Sequence, residues 1–202
     1  MRSIGITGGV GAGKSEILAH LEKYYGAQII EADKVGHLVM EPKGPAYQAV
    51  LEAFGLEILG KDGAIDRGVL GGMVFGNEEQ LEKLNKIVHP QVKSWIYREM
   101  GRLRQQGCEL FTIEGALLIE DQYEDICQEL WYIHADADIR RERLRASRGY
   151  TDERIDAIFH SQLSEAEFRK HCQAVIDNSG SFDKTCRQIA GLFDRWNLCA
   201  RP

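Results

Sequence analysis

Apolar residues in this chain fall into short blocks separated by longer stretches with helical spacing. Residues 2–7, 27–33, 109–114, 130–134 and 174–177 are compact apolar runs, and each is flanked by sequence of helical period. That alternation predicts five short parallel strands buried on both faces, an α/β fold of three layers. After the first run, Ile17, Leu18, Leu21 and Tyr25 share one helical face. Near the end of the chain, Phe182, Thr185, Ile189, Leu192, Phe193 and Trp196 do the same, predicting a helix whose work is packing.

No good strand is predicted between residues 34 and 106. Ala46, Val50, Leu51 and Phe54 have helical spacing, and a glycine-rich patch follows at Gly60, Gly63, Gly68, Gly71, Gly72 and Gly76. Asn77 with Gln80 three residues on reads as a helix start, with Leu81, Leu84, Ile87 and Val88 as the apolar face. His89-Pro90 is expected to break that helix and open another carrying Val92, Trp95, Ile96, Met100 and Leu103. The stretch is therefore predicted as a helical insert, residues 34–106, in a core of residues 1–33, 107–136 and 170–202. Residues 137–169 form the remaining segment. Six arginines lie between positions 140 and 154, and Ser147-Arg148-Gly149-Tyr150-Thr151 reads as a turn between two helices. An Arg-rich helical hairpin follows, most of its arginines being expected to pair with Asp136, Asp138, Glu142, Asp152 and Glu153.

The chemistry enters at the end of the first strand. Gly8-Gly9-Val10-Gly11-Ala12-Gly13-Lys14-Ser15 matches the phosphate-loop spacing G-x-x-x-x-G-K-[ST], between a predicted strand and a predicted helix. Small residues let the backbone curl so that successive N–H groups point inward at phosphate oxygens. The helix start adds unpaired amides and a partial positive charge. Gly9, Gly11, Ala12, Gly13, Lys14, Ser15 and Glu16 are thus candidates for holding ATP, Lys14 as a cation on the β/γ-phosphates and Ser15 as a hydroxyl ligand to Mg²⁺. Glu16 contributes its backbone N–H, with the carboxylate turned away. In a parallel sheet the ligand lies outside the carboxyl ends of the strands, which puts Asp33, Glu114 and Asn178 on the loop's rim.

Composition narrows the class. A 202-residue chain of 44% hydrophobic residues suits one α/β domain with an insertion. A net charge of −6 argues against a general nucleic-acid or membrane-surface binder. Five scattered cysteines without a C-x-x-C pair point to reduced thiols. With no leader and no long apolar run, a cytoplasmic protein is expected. Oligomeric state leaves no readable mark. The guanine-reading N-K-x-D is missing, since Asn85-Lys86-Ile87-Val88 lacks the acid, so a compact phosphotransferase fits better than a signalling GTPase.

At this level the chain resembles the dephospho-coenzyme A kinase family, nearly end to end. The matching segments are residues 4–15, Glu31-Ala32-Asp33 for the family's D-A-D, and Val88-His89-Pro90 for L-H-P. Ala116-Leu117-Leu118-Ile119-Glu120 stands for P-L-L-x-E, and residues 175–180 for V-I-D-N-x-G. Departures are Glu16 for Thr, Gln173 for Asp, Ala116 for Pro, and Arg143-Leu144-Arg145-Ala146-Ser147-Arg148-Gly149 for R-L-x-x-R-D-G, in which Arg148 takes the second cation's place. The resemblance implies a P-loop kinase fold with a five-stranded parallel sheet, a helical substrate-binding insert and an Arg-rich lid. It implies transfer from ATP, with Mg²⁺, to the ribose 3′-hydroxyl of dephospho-coenzyme A. Asp33 becomes the general base or orienter of that hydroxyl, and Arg143 and Arg148 neutralise the moving phosphoryl. His89 becomes a candidate for holding the acceptor. Glu114 is either an acid holding a Mg²⁺-bound water or the partner of a lid arginine; Asn178 is either a reader of adenine or a turn residue.

Overall fold

The structure, a computed structural model, describes residues 1–200. Five strands form one sheet: β1 (Arg2–Thr7), β2 (Gln28–Glu31), β3 (Leu110–Glu114), β4 (Glu129–His134) and β5 (Ala174–Asp177), in the order β2-β3-β1-β4-β5. Strand β1 pairs parallel with β3 and with β4, and β4 pairs parallel with β5. The chain separates into two compact units, residues 1–29 with 107–202, and residues 30–106.

In the first unit, helix α1 (Lys14–Tyr25) forms because Ile17, Leu21 and Tyr25 recur on one face and are all buried. It ends at Gly26, whose φ of 63° suits glycine. Helix α9 (Phe182–Asp194) buries Thr185, Ile189 and Phe193. Both cover the sheet face made by Ile4, Ile6, Trp131, Ile133 and Ile176. Trp131 is fully buried, 5.1 Å from Phe193 and 6.0 Å from Trp196 between ring centroids, while Tyr25 lies 4.4 Å from Phe193. Such aromatic pairs are worth about 0.5–1.5 kcal/mol each beyond their buried area. The opposite face is closer. A Cβ on Gly5 would collide with Leu130 and press on Cys127 and Leu118, which is why β1 carries a glycine at its centre.

The Arg-rich stretch folds as predicted into α6 (Ala137–Arg148) and α7 (Asp152–His160), with Gly149 at φ 62° closing α6 and the Thr151 hydroxyl capping α7. A further short helix, α8 (Glu165–His171), follows and sets Phe168 flat against Tyr132 at 4.6 Å.

The second unit is helical: α2 (Ala32–Val39), α3 (Tyr47–Phe54), α4 (Arg67–Val74) and α5 (Glu78–Gln105). Two expectations fail here. The break at His89-Pro90 does not occur, since α5 runs through Pro90. Its buried stripe, Val88, Val92, Ile96 and Leu103, continues past the proline, and burial on both sides offsets one missing backbone bond. Leu81, expected on the apolar face, is exposed. Part of the glycine-rich patch is helical. Gly68, Gly71 and Gly72 lie inside α4, which is anchored by buried Leu70 and capped by Asp66 Oδ1 accepting from the Gly68 and Val69 amides at 2.8 and 3.1 Å. Asn77 Oδ1 caps α5 from Gln80 N at 3.2 Å, as predicted.

All five cysteines are free thiols. No helix among the described residues is long and apolar enough to cross a membrane.

Candidate active site

The loop after β1 has the shape its composition demands. Gly8, Gly11 and Gly13 have φ of 143°, 86° and 88°, a region that costs other residues strain. Gly13 needs glycine twice over, because a Cβ there would also run into the Asn178 side-chain amide. When a loop turns its N–H groups inward, its carbonyls must face outward and find donors. Here they do. Gly8 O accepts from Lys14 Nζ at 2.9 Å, Gly9 O from Ala12 N at 3.1 Å, and Val10 O from Arg140 Nε at 2.9 Å. Ala12 O accepts from Asn178 Nδ2 at 2.9 Å and from Arg143 Nη1 at 3.4 Å.

The first turn of α1 is left open. Gly13 occupies the cap position and no side chain bonds to the helix start, so the amide-rich end is available to an anion. Beside it lies a cavity of about 420 Å³ lined by residues 10–15, Glu114, Arg143, Leu144, Ser147 and Arg148. Three cations face it against one carboxylate, the balance a polyphosphate requires. Glu114 arrives through strand register: β3 pairs Glu114 with Ile6, which brings the carboxylate to 3.6 Å from Lys14 Nζ. The ion pair seen here is thus with the loop lysine. The Ser147 hydroxyl is bonded to Arg143 O at 2.6 Å, so Arg148 supplies the cation at that end of the cavity.

A family model for dephospho-CoA kinase matches residues 2–184. The chain belongs to the dephospho-CoA kinase family. A curated dephospho-CoA kinase of Carboxydothermus hydrogenoformans is 36% identical over 193 residues, 96% of this chain and 93% of that protein. One of Dehalococcoides mccartyi is 38% identical over 191 residues, 94% and 96% of the two chains. The solved dephospho-CoA kinase of Campylobacter jejuni shares the fold, with a TM-score of 0.70 at 23% identity over 97% of this chain and 98% of that one. The chain is accordingly a kinase with a P-loop nucleotide fold, and the reaction of its family is ATP-dependent phosphorylation of dephospho-CoA, the last step of coenzyme A biosynthesis.

Seen as a dephospho-CoA kinase, the chain explains one of its departures. Gln173, in place of the family's Asp, accepts from Leu130 N at 2.7 Å through Oε1 while its own N–H bonds Leu130 O at 2.9 Å. An acceptor is what the position needs, and a neutral amide supplies it. Glu16 and Ala116 are exposed, and nothing in the structure explains either.

Asn178 stands differently from both roles expected of it. It is 1% exposed; Nδ2 grips Ala12 O, and Oδ1 accepts from Thr185 Oγ1 at 2.8 Å. Its carbonyl accepts from Arg143 Nη2 at 2.9 Å. The side chain braces the phosphate loop and presents no polar face to a base. Helix α9, expected only to pack, joins that brace through Thr185. The arginines divide as well. Arg141 pairs with Asp152 and Asp156, and Arg145 with Asp152, much as expected of a solvated face. Arg140 has no carboxylate partner among the described residues and lies on the loop. Nothing in the sequence set it apart, because the residues it meets, Val10 in the loop and Phe159 and Gln162 at the end of the hairpin, lie in two distant parts of the chain.

Asp33 and His89 belong to the second unit. The predicted strand ends two residues early, at Glu31, and Asp33 occupies the first turn of α2. It is exposed, and among the described residues no hydrogen bond or ion pair engages its carboxylate. His89 lies half-buried within α5.

Proposed function

We propose that this chain transfers the γ-phosphoryl group of ATP to the ribose 3′-hydroxyl of dephospho-coenzyme A. The observation that carries the reading is the glycine loop ending in Lys14 beside a cavity flanked by Arg143 and Arg148, in a member of this kinase family. Phosphoryl transfer asks little covalent chemistry of a protein and much positioning and charge. Amides of residues 9–16 hold the phosphates, while Lys14, Arg143 and Arg148 offset the charge on the group in flight. Lys14 now rests on Gly8 O and near Glu114, and exchanges those partners for phosphate oxygens.

Ser15 would ligate a magnesium ion through its hydroxyl and Glu114 would hold one of the ion's waters, a set that suits an ion bound through few protein oxygens. Bound with the nucleotide, such an ion would supply charge neutralisation to the phosphates. Asp33 acts on the acceptor, orienting its hydroxyl and accepting its proton; an exposed, unpartnered carboxylate on a helix's first turn is open to such a bond, and the family's D-A-D motif supports it. His89 contributes to the acceptor site. Residues 34–106 serve as the acceptor-binding insert, 137–169 as the lid, and the remainder as the core of a cytoplasmic enzyme that uses no nucleic acid.

Two variants test these assignments by steady-state kinetics. Lys14→Ala should lower turnover by about 10²–10³-fold, the scale for one preorganised donor, with the fold intact by circular dichroism. Asp33→Asn should lower kcat by about 10²–10⁴-fold, the range for general-base loss, with the KM for ATP nearly unchanged. Near-normal turnover in the first would overturn the loop assignment. A raised KM with unchanged kcat in the second would move Asp33 from chemistry to binding.

A further inference from the structure

We infer that Arg140 is a positioning residue of the phosphate loop, a clasp that fixes the loop's curl to the end of the Arg-rich hairpin. The inference rests on the reading of the loop as the ATP site. Three observations carry it. Arg140 Nε donates to Val10 O at 2.9 Å, and its guanidinium lies over Gly9, where any Cβ would collide with it. Its Nη2 donates to Gln162 Oε1 at 2.6 Å, at the far end of α7. Its guanidinium carbon sits 4.1 Å from the centre of the Phe159 ring. One side chain thus ties together the loop, α6 and the segment after α7.

The electrostatics make a purely structural role expensive. Arg140 is half-buried, and burial pulls its pKa below the ordinary guanidinium value. A cation removed from water normally recovers that cost from a carboxylate; among the described residues Arg140 meets a peptide carbonyl, an amide oxygen and an aromatic face, with the Tyr132 phenol close enough to act on it electrostatically. Those partners are neutral and directional, suited to setting geometry. Each bond is also one the loop needs, because Val10 O must face outward for the neighbouring amides to face the phosphates. The packing is close along the same helix face: a Cβ at Gly11 would sit 3.0 Å from Arg140 O and 3.1 Å from Leu144 Cγ. Arg140, Arg143 and Leu144, at i, i+3 and i+4, form the ridge on which the loop is moulded.

A residue that shapes the loop acts on ligands with phosphates and leaves a bare nucleoside alone. Binding of ATP and of adenosine to the intact protein, measured by calorimetry and by chemical-shift titration, separates the cases. Arg140→Ala should weaken ATP about tenfold or more, the equivalent of one charge-assisted hydrogen bond, and leave adenosine unchanged. Arg140→Lys should recover only part of the loss, since an ammonium cannot serve Val10 and Gln162 in the same planar fork. Gln162→Ala, which leaves the guanidinium on the loop, should cost about two- to threefold, less than a full hydrogen bond, and keeps the test alive if Arg140→Ala does not fold. Hydrogen exchange in residues 8–13 should quicken in Arg140→Ala.

ATP affinity within twofold of the parent in both Arg140→Ala and Gln162→Ala would overturn the clasp. Equal weakening of adenosine and ATP would do so too, by placing Arg140 on the base. Lys14→Ala keeps the underlying reading separate. If that variant binds ATP like the parent, the loop assignment fails; if it loses ATP while Arg140→Ala keeps it, only the clasp fails.

Discussion

Replacing Asn178 with alanine removes the pin between the phosphate loop and α9. Two side-chain hydrogen bonds go: Nδ2 to Ala12 O at 2.9 Å and Thr185 Oγ1 to Oδ1 at 2.8 Å. At about 0.5–1.5 kcal/mol net for each, the loss is about 1–3 kcal/mol. The larger penalty for stranded buried groups is avoided, because Ala12 O keeps Arg143 Nη1 at 3.4 Å and Thr185 Oγ1 keeps Asp177 O at 3.3 Å. A small void where the amide stood adds to the cost and places the total in the upper part of that range, about 2–3 kcal/mol. For a chain of this size that lowers the melting temperature by about 4–12 °C. Thermal and urea unfolding followed by near-ultraviolet circular dichroism reads it directly, since Trp131 and Trp196 lie in the same unit. ATP affinity should fall alongside, because the loop is less well held. Stability within about 0.5 kcal/mol of the parent, the scatter of neutral surface changes, together with lost ATP binding, would refute the brace and return Asn178 to the nucleotide.

Other consequences are independent of that network. Pro90→Ala restores a backbone donor inside α5 at an exposed position and should stabilise the protein by about 1–3 kcal/mol in urea titrations; destabilisation would show that the proline is required where it stands. The Thr112 hydroxyl is fully buried without a hydrogen-bond partner among the described residues, so Thr112→Val should leave stability unchanged or raise it by about 1 kcal/mol. A loss of comparable size would show a partner for that hydroxyl. Burial pushes the Cys127 and Cys172 thiols up to about 12, whereas Cys199 is exposed. Iodoacetamide at pH 8, followed by peptide mass analysis, should mark Cys199 in the native protein and reach the other two only in denaturant.

The strands were legible because a parallel sheet buried on both faces writes itself as apolar blocks, and the loop because its spacing is fixed by phosphate geometry. What escaped was set by tertiary packing. Local rules read a stop at Pro90, but the apolar stripe of α5 continues to Leu103. Glycines in α4 gave no helical signal of their own, yet a two-amide cap and one buried leucine hold them in a helix. The candidate site shows the same division. Lys14 and Ser15 are marked by their own neighbours in sequence, whereas the grip of Asn178 on Ala12 spans 166 residues and that of Arg140 on Val10 spans 130. Contacts of that separation leave no period or spacing to read.

The reaction itself is tested most directly by giving the purified protein ATP, magnesium and dephospho-coenzyme A and locating the transferred phosphate by mass and phosphorus NMR spectroscopy. Coenzyme A phosphorylated on the ribose 3′-hydroxyl, with one ADP formed per molecule of product and almost none with Lys14→Ala, is the predicted result. Transfer to a nucleoside or nucleoside monophosphate in its place, or ATP binding with no transfer to any of these acceptors, would contradict it.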